Sequence, residues 1–84
     1  MKIRVLLVDD EEDFVDALSQ RLEMRDFAVG KACNGAEALG LIEEHEYDVI
    51  VLDVRMPGED GIQILKRLKE LKPLTEVIRS EELV

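Results

Sequence analysis

Two hydrophobic periodicities alternate along the chain. Ile3-Arg4-Val5-Leu6-Leu7-Val8 is β-branched and aliphatic, with an unbroken apolar run from Val5 to Val8. That pattern predicts a strand covered on both faces. The acidic run from Asp9 to Asp13 ends it. Phe14, Ala17, Leu18 and Leu22 then recur at helical spacing and predict one inward-facing stripe, with the helix fading near Arg25-Asp26. Phe27 to Ala32 reads as a weaker strand, and Gly30 with Lys31 suits an edge. Asn34-Gly35 makes a turn, and Asn34 with Glu37 resembles a capping box. The second helix carries Ala38, Leu39 and Ile42 inward and Glu43 and Glu44 outward.

Val49-Ile50-Val51-Leu52 is the most apolar stretch and stops at Asp53. A loop from Val54 to Asp60 contains Met56-Pro57-Gly58. Asp60 can cap a third helix with Ile64, Leu65, Leu68 and Leu71 facing inward, and Lys72-Pro73 closes it. Thr75 to Ile78 begins a fourth strand, while Arg79 to Val84 is too charged to continue as a buried central strand. The order β-α-β-α-β-α-β implies parallel strands joined by right-handed crossovers. The expected fold is a single α/β domain over residues 1–84, a three-layer α/β/α sheet of order 2-1-3-4 with strands one and three central.

At 84 residues the chain fits one small domain, which buries only about 60–65% of its unfolded surface. Twenty acidic against 11 basic side chains give a net charge of −9. That balance argues against nucleic acid as a direct ligand and against anionic membranes. No apolar run approaches the roughly 18 residues of a membrane span, and the N-terminus lacks a signal-peptide core. Cys33 is the only cysteine, which excludes a disulfide framework and reads as a small semi-buried hydrophobe. These features point to the cytoplasm.

The chemistry concentrates at strand ends. Ligands of open parallel sheets bind beyond the carboxyl ends of the strands. Asp9 and Asp10 end the first strand and Asp53 ends the third, so neighbouring strands bring three carboxylates together. Their mutual repulsion is relieved by a hard divalent cation, and Mg²⁺ in such a place commonly serves phosphate chemistry. The competing role for Asp9 to Asp13 is capping and charge pairing at the first helix's N-terminus. That role suffices for Glu12 and Asp13. For Asp53 it does not, because a carboxylate closing the most apolar strand is costly unless paired or metal-bound. His45, among Glu43, Glu44 and Glu46, reads as a solvated residue. No glycine-rich phosphate loop is present, which disfavours nucleotide binding.

Val8-Asp9-Asp10-Glu11, the run Leu52-Asp53-Val54-Arg55-Met56-Pro57-Gly58-Glu59-Asp60-Gly61, and Asn34-Gly35 followed by Glu37-Ala38-Leu39 resemble the receiver domain of bacterial two-component response regulators. The resemblance covers residues 2 to about 78. It implies that Asp53 accepts a phosphoryl group from a histidine kinase or phosphotransfer protein. It also implies that Asp10, Asp53 and the backbone carbonyl of Arg55 coordinate Mg²⁺, with Asp9 acting through water. The domain would then be a flavodoxin-like phosphoacceptor rather than an enzyme.

The chain departs from that pattern after its fourth strand. The resemblance implies a fifth strand with a lysine and further helices, for which this sequence offers no counterpart, so it reads as truncated. The family's hydroxyl at the end of strand four falls near Glu81, whose charge would repel a phosphoryl group; strand alternation would turn the adjacent Ser80 to the other face. Phosphorylation is therefore expected to be impaired. A phosphorylation-incompetent dimerising module is the alternative, and a homodimer through Val77, Ile78, Leu83 and Val84 is expected. An Asp-nucleophile phosphohydrolase is disfavoured, because Asp53 is followed by Val54-Arg55 rather than by a second Asp two residues on.

Overall fold

The computed structural model describes residues 1–83, without the Leu83 side chain. The strands are β1 (Arg4–Val8), β2 (Ala28–Ala32), β3 (Val49–Leu52) and β4 (Glu76–Arg79). The helices are α1 (Glu12–Met24), α2 (Gly35–Glu44) and α3 (Gly61–Leu71), and a single 3₁₀ turn spans Ser80–Leu83. All strand pairs are parallel and the sheet order is β2-β1-β3-β4, as the periodicity predicts.

The two central strands are covered on both faces because alternate residues feed two cores. Leu6, Val8, Ile50 and Leu52 pack with Ala38 and Ile42 of α2 and Leu68 of α3. Val5, Leu7 and Val51 pack with Val15 of α1, with Leu18 and Leu22 against them. Hence α1 lies on one face and α2 with α3 on the other, which makes three layers.

The caps form locally. Asn34 accepts from the Glu37 N–H at 2.8 Å. The returning Glu37 carboxylate accepts from Cys33 N–H at 2.8 Å rather than from the cap residue itself. Asp60 accepts from the N–H groups of Ile62 and Gln63 at the start of α3.

Two apolar stripes differ from the sequence pattern. The buried stripe of α1 runs through Val15, Leu18, Ser19 and Leu22, rotated by about one residue from the predicted one. Phe14 is 46% exposed and Ala17 is exposed. Both settings keep Leu18 and Leu22 inward and differ in whether Phe14 or Val15, about a hundred degrees apart on a helix, joins them, and the sequence pattern alone does not separate them. The structure selects the one that seats Val15 over Leu7 and Val51. On α3, Leu71 is 42% exposed because it occupies the last turn, where only Lys72 follows before the proline.

The polar run after Ile78 ends strand geometry at Arg79, and the 3₁₀ turn follows. Among the described residues no strand pairs with the outer edge of β4. Also among them, no helix is long and apolar enough to cross a membrane.

Candidate phosphoacceptor and metal site

Register decides where the acidic residues meet. Val8 of β1 stands opposite Leu52 of β3 and Ala32 of β2. The next residues, Asp9 and Asp53, therefore leave the sheet side by side. The Asp53 N–H donates to the Val8 carbonyl at 2.9 Å, and the Asp9 N–H donates to the Ala32 carbonyl at 3.1 Å. One carboxylate oxygen each from Asp9, Asp10 and Asp53 lies within 4.8 Å of the others. Asp9 and Asp53 are half-buried and Asp10 is exposed.

Two of the carboxylates are fixed by their own backbone. Asp9 Oδ1 accepts from the Glu11 N–H and Asp53 Oδ1 accepts from the Arg55 N–H, each at 2.9 Å. These turns hold the side chains beyond the strand ends without help from a distant residue. Burial pushes the Asp9 carboxyl above its ordinary range, and the charges of Asp53, Asp10 and Glu11 push the same way. The hydrogen bond from Glu11 opposes them. The donor set is hard oxygen with surplus negative charge, which suits a small divalent cation such as Mg²⁺.

The loop after β3 is tightly built. Met56 is buried beneath it. Gly58 adopts φ +76°, and a Cβ at Gly61 would run into the Val54 backbone, so α3 can start this close only with glycine there. Glu59 reaches across to accept from the Gly35 N–H at 2.8 Å, tying the loop to the start of α2. Arg55 is exposed, with its backbone turned around Asp53.

Beside the carboxylates lies a cleft of about 210 Å³ lined by Asp9, Glu11, Phe14, Asp53, Arg55, Ser80 and Glu81. The strand-alternation argument turned Ser80 away from this place, and the structure corrects it. Alternation stops at Arg79, and the 3₁₀ turn brings both Ser80 and Glu81 to the cleft. Phe14 and Glu11 were not singled out for this cleft by sequence, since Phe14 reads as part of the inward stripe of α1 and Glu11 as one of a run of acids. Cys33 is half-buried as expected, yet its thiol donates to the Glu37 carboxylate at 3.0 Å. That contact is the first cause of its raised pKa. His45 is exposed at the C-terminal end of α2.

Comparison with known proteins agrees with this geometry. The family model for the response regulator receiver domain matches residues 5–80. The alkaline phosphatase synthesis transcriptional regulatory protein PhoP of Bacillus subtilis is 40% identical over 78 residues, covering 93% of this chain and 32% of that protein. The chain thus spans about a third of the length of the curated relatives it matches. Among solved structures, the response regulator TrrA of Thermotoga maritima in complex with Mg²⁺ and BeF superposes with a TM-score of 0.82 at 32% identity, covering 92% of this chain and 66% of that one. The complex of histidine kinase ThkA with TrrA gives a TM-score of 0.84 at 33% identity, covering 94% and 67%.

Proposed function

For this chain, which belongs to the response regulator receiver domain family of two-component signalling, we propose that Asp53 accepts a phosphoryl group from a partner histidine kinase. A carboxylate oxygen of Asp53 attacks phosphorus, the bond from phosphorus to the imidazole nitrogen breaks, and the electron pair returns to the ring. Asp10, Asp53 and the Arg55 carbonyl would hold Mg²⁺, with Asp9 adding negative charge beside it. When bound, the ion offsets negative charge on the transferring oxygens. The observation that carries this reading is the convergence of three carboxylates, within 4.8 Å, beside a cleft large enough for a phosphoryl group. Support also comes from the TrrA structures, one with Mg²⁺ and BeF and one with a histidine kinase. The domain is a phosphoryl acceptor in the cytoplasm rather than an enzyme with its own turnover. A lone Cys33 suits that compartment.

Transfer is slow in this reading. Among the described residues the cleft carries Asp9, Glu11, Asp53 and Glu81 against the single cation Arg55, and no lysine lines it. Incubation with acetyl phosphate and Mg²⁺, followed by intact-mass measurement, tests the assignment. A gain of one phosphoryl group that vanishes in Asp53→Asn is expected. A gain that persists in the variant, or none at any donor concentration, refutes it.

A homodimerising role is the second reading, and the outer edge of β4, which no strand pairs among the described residues, favours it. Of the expected interface, Ile78 is half-exposed, whereas Val77 already packs against its own core. The Leu83 side chain and Val84 lie outside the described residues. Sedimentation velocity distinguishes the readings: a dimer that strengthens with salt is expected, since two copies at −9 repel.

A further inference from the structure

The end of β4 holds an ion pair that neither the fold nor the acceptor chemistry requires. Arg79 stands opposite Leu52, the residue before Asp53. Its guanidinium pairs through Nη2 with the carboxylate of Glu81, which lines the acceptor cleft. Nε lies 3.6 Å from the Glu82 carboxylate, too far for a hydrogen bond, and is buried with no hydrogen-bond partner among the described residues. Arg79 is half-buried, whereas Glu82 is exposed. One cation is thus shared by two carboxylates, and the nearer of these faces the place where a phosphoryl group must enter.

We propose that the Arg79–Glu81 pair is an electrostatic gate on this cleft, in which Arg79 offsets the Glu81 charge and thereby sets how readily an anionic phosphoryl donor reaches Asp53. The proposal rests on the acceptor reading above and adds a residue pair that controls it. The physical reason is the sign of the field. The cleft already holds three other carboxylates and one arginine. An uncompensated Glu81 raises the free energy of an approaching phosphate and lowers that of a cation. Opposite effects on the two ions distinguish a gate from a general loosening of the turn, which weakens both.

The test uses the whole chain and two probes, Mg²⁺ alone and acetyl phosphate with saturating Mg²⁺. In the second, the phosphorus–oxygen bond to acetate breaks, acetate leaves with the electron pair, and the Asp53 oxygen–phosphorus bond forms. Glu81→Gln removes one charge from the cleft, and a unit charge acting within about a Debye length in a water-like medium changes the local concentration of a small anion by about two- to fivefold. Phosphorylation accelerates by that factor and Mg²⁺ binding, read by calorimetry, weakens. Arg79→Gln moves both in the opposite sense. In the double variant the two charge changes oppose each other, so both readings return toward wild type. Glu43→Gln, which removes the same net charge from the exposed far end of α2, leaves both readings at wild type. Circular dichroism checks that each variant keeps the wild-type fold.

The outcomes separate the two proposals. If no chain takes up phosphate but Mg²⁺ affinity ranks Arg79→Gln above wild type above Glu81→Gln, the gate stands and the acceptor assignment falls. If phosphorylation occurs on Asp53 but Glu81→Gln leaves Mg²⁺ affinity unchanged, or shifts both readings the same way, the gate is overturned.

Discussion

Replacing Asp53 by Asn should make the metal-free protein more stable while removing its response to Mg²⁺. Asparagine retains the Oδ1 that accepts from the Arg55 N–H, so the turn after β3 survives. What disappears is one of three charges whose oxygens lie within 4.8 Å of each other. Two unit charges at that distance repel by about 1 kcal/mol at the dielectric constant of water, and by more where burial lowers it. Asp53 faces two such charges. Solvent exposure of Asp10 and ordinary salt reduce the sum, so a net gain of about 1 kcal/mol is expected. In a domain of this size that raises Tm by about 4–8 °C.

The assay is thermal unfolding followed by circular dichroism, at low salt with a chelator and again with Mg²⁺. With a chelator, Asp53→Asn melts above wild type, and the gap narrows as salt is added. Mg²⁺ at ten times its dissociation constant stabilises wild type by about 1.4 kcal/mol, which closes or reverses the gap because the variant binds the ion poorly. A variant that melts below wild type in chelator refutes the reasoning. So does a gap that salt leaves untouched, since a packing effect is not screened.

Three further outcomes follow from the same geometry. Burial and its acidic neighbours raise the Asp9 carboxyl in the folded state, so the folded protein binds more protons than the unfolded one above the ordinary value of 3.8. Metal-free stability therefore gains an Asp9 contribution as pH falls through the folded value, and a urea-denaturation series in Asp9→Asn lacks that contribution. Asp60→Ala removes the cap that accepts two N–H groups of α3 and should cost about 1 kcal/mol by urea denaturation, while Asp60→Asn costs little. Leu68 is fully buried between α3 and the sheet, so Leu68→Ala should cost about 2–5 kcal/mol and abolish a cooperative melting transition in so small a domain.

The sequence made the sheet legible because its signals are local and redundant. Two unbroken apolar runs mark central strands, and a side chain of the right type at Asn34 and at Asp60 fixes where α2 and α3 begin. The acidic cluster was legible for the same reason: in a parallel sheet, residues that follow paired strand ends must meet. Helix rotation was less so. Phe14 and Val15 compete for the inward place on α1, and only the shape of the surface offered by Leu7 and Val51 settles it. The Ser80 error has a different origin. Alternation holds only while the chain stays extended, and a run of one serine and two glutamates gives no register by which to see where the strand stops.

A residue on a strand is aimed by the sheet and can be placed by counting, as Asp53 can. A residue on a 3₁₀ turn is aimed by its own local contacts, and for Glu81 the contact is Arg79. The Asp53 carboxylate is thus set by the most buried part of the fold, whereas the Glu81 charge beside it is set by a surface ion pair. Such pairs contribute little to stability, typically less than about 1 kcal/mol. The sheet end therefore carries a fixed group and an adjustable one in the same cleft. Substitutions in the turn can change the field at Asp53 several-fold in rate without loss of the core, whereas substitutions in β3 cannot.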